Sequence, residues 1–202
     1  YLCPCRYIRD GLLDNLPFIA AKATSVVYSA KQPLPAPPTT LARPLRLVTT
    51  SQVNPNKGHE ELLRVLARYR DAGQEFTWDV AGTGESLDFL RGLSRELGLA
   101  ERVRWHGFCS DIGSLLREAD VFVLPSYTEG LPNTLLEAMA HGLVPVARNA
   151  GGSGEVWPEA LAALLAPDGP HDGSGLTAAL GRVFAADEAT LLAWKRIAWE
   201  QC

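Results

Sequence analysis

Short apolar or β-branched runs alternate with segments of helical periodicity from residue 45 onward. In the first such segment, Leu62, Leu66 and Tyr69 fall on one stripe of a helix, and most charged residues fall elsewhere. Strands and helices in alternation form a parallel sheet with crossover helices. The chain is therefore predicted to be an α/β protein with a doubly wound parallel sheet of about six strands flanked by helices. The predicted strands are 45–51, 75–82, 102–107, 120–125, 143–148 and 161–166.

A proline-rich segment, residues 31–44, stands before this alternating region. Its five prolines remove backbone donors and favour extended conformations, so it is predicted to be a linker. Residues 10–29 are predicted to form a helix and a short strand, which either lean on the following domain or belong to a preceding one. The predicted organisation is an inter-domain segment with its linker over 1–44 and one domain over 45–202. Two helices are expected near the C-terminus, within 174–200.

Composition and charge narrow the classes of function. Hydrophobic residues make up 47% and charged residues 21% of the chain, as in folded globular proteins. The formal net charge of −4 leaves no basic excess for holding nucleic acid or an anionic membrane surface by charge alone. Four scattered cysteines do not form a disulfide framework, which indicates a reducing compartment, and no stretch is apolar enough to span a membrane. A cytoplasmic protein that binds no nucleic acid is expected.

The loops that follow the predicted strands are the places to look for a ligand. In a doubly wound sheet, ligands bind beyond the carboxyl ends of the strands, where loops lead into helix N-termini with free N–H groups. We expect these loops to converge on one edge of the sheet. They are 51–58, 82–85, 107–111, 125–132 and 148–155.

Glu137 is the one acidic residue of a nearly apolar helix predicted over 134–140. Such a helix packs against neighbours on several sides, and a buried carboxylate is costly unless it is paired or hydrogen-bonded. Glu137 is therefore predicted to have a partner. Ribose hydroxyls at the mouth of a site would serve. The alternatives are a structural salt bridge and exposure at the edge of the helix.

Glu129 and Lys57 stand in two of the strand-end loops. Backbone N–H groups at 130–133, with Pro132 suited to the first turn of a helix, could hold a phosphate or sugar oxygen. The Glu129 carboxylate could accept from sugar hydroxyls or face a developing positive charge. Lys57 directly precedes a helix, so its ammonium group and a positive helix end meet where a diphosphate would fit. The alternative for each residue is a solvated surface position.

Several common motifs are absent from the sequence. Gly82 and Gly84 are not followed by the third glycine of the dinucleotide fingerprint, and no phosphate loop ending in Gly-Lys-Ser/Thr occurs. The four histidines show no metal-ligand spacing, and no Asp-x-Asp pair is present. Structural or surface roles are expected for the histidines, and no metal site is predicted.

An ordered series of motifs resembles the retaining glycosyltransferases of family 4, which have the GT-B fold. The central string runs from Glu129-Gly130-Leu131-Pro132-Asn133 to Glu137-Ala138-Met139-Ala140, and its two glutamates match the family's pair separated by seven residues. The similarity covers about residues 45–166 and is highly specific, because several motifs occur in the correct order. The other motifs are NKGH (56–59), AGTG (81–84), WHGF (105–108), DVFVLPS (120–126), Gly142, Pro145-Val146 and Gly151-Gly152 with Glu155.

The resemblance implies the C-terminal, donor-binding half of an enzyme that transfers a sugar from a nucleoside-diphosphate sugar with retention of configuration. By position, Glu137 would bind the ribose hydroxyls and Glu129 the sugar, while the backbone at Gly130 and Leu131 would hold phosphate and sugar. Lys57 would neutralise the diphosphate leaving group, so Glu129 and Lys57 are the implied catalytic residues, and no metal or other cofactor would be required. The implied donor-binding set is Gln52, Lys57, Gly82, Gly84, Glu129, Gly130, Leu131, Pro132, Asn133 and Glu137.

Two departures from the family pattern matter. Gln52 stands near the position of a family arginine, and a neutral amide makes a weaker bond to phosphate than a charged group does. Either donor binding is weaker, or Arg148 compensates. The N-terminal acceptor-binding domain is also missing, so Tyr1 is taken to begin a fragment that binds a donor without turnover.

The resemblance points to synthesis of a cell-envelope, lipopolysaccharide or capsular glycan. It leaves open a peripheral contact of the full-length protein with the inner face of the plasma membrane. The alternative function is a non-catalytic nucleotide-binding or interaction module with a vestigial pocket, which the missing arginine and the missing domain would favour.

Overall fold

A computed structural model describes residues 2–16, 18, 24–169 and 171–202. Its main sheet has six strands, which are β3 (Leu45–Thr50), β4 (Phe76–Ala81), β5 (Val103–Gly107), β6 (Val121–Leu124), β7 (Val144–Arg148) and β8 (Leu165–Ala166). The helices are α1 (Arg6–Asn15), α2 (His59–Asp71), α3 (Leu87–Glu96), α4 (Ile112–Glu118), α5 (Asn133–Ala140), α6 (Ser174–Ala185) and α7 (Glu188–Glu200). None of these helices combines the length and apolarity that crossing a membrane requires.

The six strands are parallel and lie in the order β5-β4-β3-β6-β7-β8. The chain moves outward from β3 through β4 to β5, returns to pair β6 with the other side of β3, and then moves outward the opposite way. The predicted doubly wound parallel sheet is confirmed. The reversal between β3 and β6 is the switch point at which the loops after these two strands diverge and leave a crevice.

One predicted strand is largely wrong. Residues 161–166 begin within a short 3₁₀ helix, Glu159–Leu164, and only Leu165–Ala166 pair with the sheet as β8. Leu161 and Leu164 are each 1% exposed, so the apolar run reflects burial of a helical turn. A short apolar run does not by itself distinguish a buried strand from a buried helical turn.

The N-terminal residues form a small unit of their own. β1 (Leu2–Cys3) and β2 (Ser25–Val26) make a two-stranded parallel sheet, with α1 between them in sequence. The helix begins earlier than the helix and strand predicted over 10–29, and the parts of that prediction at 17 and over 19–23 lie outside the described residues. This unit packs against a 3₁₀ helix, Gly151–Glu155, that follows β7.

The proline-rich segment contains no helix or strand and is held against the domain by hydrogen bonds. The Leu34 N–H donates to the Ala140 carbonyl at 2.9 Å, and the Trp199 indole donates to the Leu34 carbonyl at 2.8 Å. These bonds connect the segment to the end of α5 and to α7.

A buried ion pair secures the end of this segment. The Lys195 Nζ atom lies 3.0 Å from Asp120 Oδ1, and the two side chains are 2% and 4% exposed. Asp120 Oδ2 also accepts from the backbone N–H groups of Ala42 and Arg46, each at 3.1 Å. One carboxylate therefore connects α7, the proline-rich segment and the start of β3.

His59 is a second buried polar group, at the first position of α2. It is 1% exposed, and its Nε2 atom lies 3.2 Å from the Ser51 hydroxyl. Burial, with a smaller contribution from the Lys57 charge, lowers the pKa of His59 to about 4. The imidazole is therefore neutral at physiological pH, consistent with the structural role expected for it.

Asp120→Ala is expected to lower the free energy of unfolding by about 3–5 kcal/mol, because it leaves the Lys195 ammonium group buried without a counter-charge. Glu118→Ala is the control, since it removes an exposed partner of Arg46 and should change stability by less than about 1 kcal/mol. Urea denaturation of both variants measures the difference. Equal losses of unfolding free energy in the two variants would show that the buried ion pair stabilises the fold no more than the exposed one.

The free energy of unfolding is expected to fall by about 2 kcal/mol between pH 7 and pH 5 through His59 alone. In this window the unfolded-state imidazole takes up a proton, while the buried one, with a pKa of about 4, stays neutral. His59→Gln should flatten the pH dependence, whereas the same change at the exposed His171 should not. Urea midpoints at the two pH values provide the measurement, and an unchanged slope in His59→Gln would refute the assignment.

Candidate functional site

A cavity of about 400 Å³ opens at the carboxyl ends of β3, β4 and β5 and is closed on one side by α5. Strand-end loops contribute most of its wall, as expected for the switch point of a doubly wound sheet. Its lining residues are Thr50, Ser51, Gln52, Ala81, Gly82, Thr83, Phe108, Cys109, Ile112, Thr134 and Glu137.

Glu137 faces this cavity from α5. Its neighbours Leu136 and Ala138 are buried, but Glu137 itself is only half-buried, because the cavity leaves this side of the helix open. The expectation of a buried carboxylate is therefore corrected. Among the described residues no side chain forms an ion pair or hydrogen bond with this carboxylate, which argues against the structural salt bridge. Its oxygens are free to accept from a ligand in the cavity.

Lys57 and Glu129 are 72 residues apart in sequence and form an ion pair of 2.7 Å between Nζ and Oε1. Their side chains are 21% and 12% exposed, so both are largely shielded from solvent. Lys57 ends a 3₁₀ turn whose first residues are fixed by the Asn54 side chain. The structure thus brings the two predicted catalytic residues together in loops that follow β3 and β6, although neither is among the residues that line the cavity.

Glycines let the loops around the cavity approach one another. Gly58 has φ of 67°, and a side chain there would collide with the Pro125 carbonyl. Gly82 lines the cavity and has φ of 148°, where a side chain would collide with the Ser51 carbonyl. Gly84 lies equally close to Val53 and is outside the lining. The close approach of neighbouring loops therefore explains, without any role in ligand binding, why glycine is needed at these positions.

The loop from Glu129 into α5 has a buried middle and an exposed end. Leu131 and Pro132 are buried, whereas Asn133 is exposed. Pro132 is the N-cap residue of α5 and not part of its first turn, and no side chain caps this helix end. The Leu135 N–H donates to the Pro132 carbonyl at 3.1 Å, so the N–H groups of Asn133 and Thr134 are the first-turn donors left for an acceptor such as a phosphate oxygen.

In the structure, Arg148 does not supply the positive charge that Gln52 lacks. Gln52 is exposed at the cavity and its Oε1 atom accepts from Asn54 at 3.3 Å. Arg148 is 2% exposed and is bonded to Glu61 at 2.5 Å, with its guanidinium 5.2 Å from the centre of the Tyr127 ring. The expectation that Arg148 compensates is wrong, because its charge is enclosed and already paired.

Glu155 is a residue whose contacts the sequence did not reveal. Burial alone would raise the pKa of its carboxyl group, but hydrogen bonds from Tyr28, Tyr7 and Arg6 outweigh burial and lower the pKa to about 2. The sequence signal was an acidic residue directly after a glycine-rich strand end. Its partners lie more than 120 residues away, so the signal could not identify them.

Metal-ligating side chains do not cluster in the described part of the chain. The site instead combines a free carboxylate, a lysine–glutamate pair and unpaired helix donors, next to apolar side chains such as Phe108 and Ile112. This arrangement suits a ligand that has hydroxyl groups at one end and anionic oxygens at the other.

Comparison with known proteins agrees with this arrangement. Residues 38–178 match the family described as glycosyl transferases group 1. The amylovoran biosynthesis glycosyltransferase AmsK of Erwinia amylovora is 31% identical over 151 residues, which are 71% of this chain and 37% of that protein.

Two solved structures show the fold. A glycosyltransferase from Rickettsia africae has a TM-score of 0.81 at 17% identity, over 99% of this chain and 56% of the other. The pneumococcal O-GlcNAc transferase GtfA, solved with UDP and GlcNAc, has a TM-score of 0.82 at 17% identity, over 99% of this chain and 40% of the other. The chain thus spans between about a third and little more than half of the length of these three proteins. It has the architecture of GT-B glycosyltransferases, and it belongs to the family of group 1 glycosyl transferases.

Proposed function

We propose that this chain is the donor-binding half of a retaining glycosyltransferase of family 4, and that it binds a nucleoside-diphosphate sugar for transfer to an acceptor in cell-envelope, lipopolysaccharide or capsular glycan synthesis. The observation that carries the proposal is the unpaired Glu137 carboxylate facing a cavity at the switch point of the sheet. The relative AmsK is a glycosyltransferase of amylovoran biosynthesis, which supports the class of product. The structure of GtfA with UDP supports the class of donor.

Glu137 is the proposed ribose-binding residue. Ribose hydroxyls donate to a carboxylate, and bonds to a charged acceptor are stronger than neutral ones. Gln52 and Gly82 line the same cavity and contact the nucleotide in this proposal. Gly84 acts beside them by keeping its loop close to the loop that contains Gln52.

Lys57 and Glu129 are the proposed catalytic pair. An ammonium group has three donors, so Lys57 can keep its bond to Glu129 while it also donates to the diphosphate. Departure of the diphosphate leaves negative charge on its oxygens, which Lys57 and the free N–H groups around Gly130, Leu131 and Asn133 stabilise. Glu129 holds the ammonium in place and contacts the sugar. This chemistry draws its positive charge from the chain itself and requires no metal.

The proposal that configuration is retained rests on the resemblance to family 4, whose pair of glutamates has the spacing of Glu129 and Glu137. The proposed organisation assigns 45–202 to the nucleotide-sugar-binding domain and 1–44 to the inter-domain segment. An N-terminal acceptor-binding domain of the same protein is the proposed partner, and without it we expect no turnover. Exposed apolar side chains within residues 2–28 support such a neighbour, since Leu2, Phe18 and Val27 are 77%, 67% and 57% exposed.

A cytoplasmic location is proposed for the full-length protein, because the reducing cytoplasm maintains free thiols and all four cysteines are free. A peripheral contact of the full-length protein with the inner face of the plasma membrane is compatible with this location.

Glu137→Ala is expected to weaken nucleotide binding by about 10- to 100-fold, the usual range for loss of a hydrogen bond to a charged group. Calorimetric titration of the chain with UDP, GDP and their sugars tests this, with Glu137→Gln as the isosteric variant. Glu96→Ala, at an exposed position, is the control and should bind like the wild type. The proposal falls if no nucleotide binds the wild type, or if binding is the same without Glu137.

Gln52→Arg is expected to tighten UDP binding by about 3- to 10-fold, because a charge-assisted bond to the diphosphate replaces a neutral one. The gain should be smaller for UMP and should shrink in high salt. Gln201→Arg makes the same charge change at an exposed position away from the cavity and is the control. Equal effects of the two variants would mean that position 52 does not face the diphosphate.

A further inference from the structure

We infer that Glu155 is a positioning residue that couples the inter-domain helix α1 to the loop containing Glu129 and Gly130. The inference rests on the proposed function for its effect on donor binding. Its structural part stands on the hydrogen bonds and close contacts of three segments, which are α1, the 3₁₀ helix Gly151–Glu155 and the loop before α5.

Glu155 binds the N-terminal unit through four hydrogen bonds. Its carboxylate accepts from the backbone N–H groups of Tyr7 at 2.7 Å and Arg6 at 2.9 Å. It also accepts from the Tyr28 hydroxyl at 2.7 Å and from Arg6 Nε at 3.2 Å. The Glu155 side chain is only 14% exposed, although its partner Arg6 is 62% exposed.

These bonds replace a local cap of α1. Cys5 is the N-cap residue of the helix and makes no side-chain cap hydrogen bond. The first turn of a helix leaves N–H groups without partners, and a carboxylate there is stabilised by the helix dipole. Because the cap comes from the end of the segment that follows β7, the start of α1 depends on where that segment lies.

The same segment is bonded to the loop that contains the proposed catalytic glutamate. The Gly152 N–H donates to the Gly130 carbonyl at 2.8 Å. Gly151 has φ of 56°, and a side chain there would collide with the Glu129 carbonyl. The two glycines therefore hold the backbone at 129 and 130 by direct contact.

Helix α1 and its N-cap residue also lie close to the loop before α5 and to the 3₁₀ helix Gly151–Glu155. A side-chain carbon at Gly130 would lie 3.4 Å from Ile8 Cδ1, and one at Gly152 would lie 2.9 Å from Cys5 Sγ. The start of α1 is thus packed tightly on Gly152, and Ile8 lies within van der Waals reach of a side chain at Gly130. Closely packed groups transmit displacement, so release of α1 from Glu155 changes the position of the loop at 129–131. Glu137 lies outside these contacts, so the effect falls on the phosphate and sugar end of the donor.

Hydrogen exchange of the whole chain tests the coupling without any ligand. Glu155→Gln keeps the shape but turns one acceptor into an N–H₂ group facing donors, and Tyr28→Phe removes one bond of the four. Glu159→Gln, at an exposed position four residues on, is the control. In Glu155→Gln, exchange should rise roughly fivefold or more at 5–9, at 129–131 and at 151–154, as for loss of a helix cap. Tyr28→Phe should show a smaller rise at the same places.

Amides of β3 and α2 should exchange as in the wild type, which distinguishes local release from general destabilisation. A rise confined to 5–9 would overturn the coupling, because Glu155 would then cap α1 and do nothing more. A uniform rise across the chain in both Glu155→Gln and Tyr28→Phe would overturn it as well.

Nucleotide titration separates the two ends of the donor. Glu155→Gln should weaken UDP-glucose or GDP-mannose by about five- to tenfold and leave UMP or GMP unchanged, a split that loss of fold would not produce. Equal weakening of monophosphate and sugar nucleotide would overturn the positioning role. If the wild type binds none of these four probes, the proposed function fails, and hydrogen exchange still decides the coupling.

Discussion

The pairing of β3 with β4 on one side and β6 on the other is the constraint on which the site depends. Because the crossover direction reverses there, the loops after these strands separate instead of covering the sheet edge. The crevice between them admits α5 with its single acidic residue facing the cavity. The remaining features of the site, from the glycine contacts to the Lys57–Glu129 pair, adjust loops that this topology has already brought together.

The fold was largely predictable, because it follows from local patterns. Five of six strands were predicted within one or two residues, since β-branched and apolar runs in a parallel sheet are buried on both faces. The error at 161–166 arose because Leu161 and Leu164 are buried by a helical turn instead of a strand. The start of α1 was misplaced because its cap is Glu155, more than 140 residues away, and not a neighbouring side chain.

By residue chemistry alone, the candidate site was most predictable where one residue conflicts with its surroundings. Glu137 drew attention as an acid within an apolar helix, and the structure places it on the cavity. The pairing of Lys57 with Glu129 and of Arg148 with Glu61 could not be read from the sequence, since each joins distant loops or elements. Sequence alone could not distinguish Arg148, which is enclosed, from an arginine free to reach a phosphate.

Few charged side chains of the site are free to bind an anion, so the position of its backbone N–H groups becomes important. Lys57 shares its charge with Glu129, Gln52 is neutral, and Arg148 is engaged by Glu61. A bound diphosphate would therefore rely strongly on N–H groups of the loop and first turn around Gly130, whose strength depends on direction and distance. Such donors work only when the loop is held in place. The segment that ends at Glu155 is bonded both to the first turn of α1 and to the Gly130 carbonyl, which is why we infer that Glu155 helps to orient these donors.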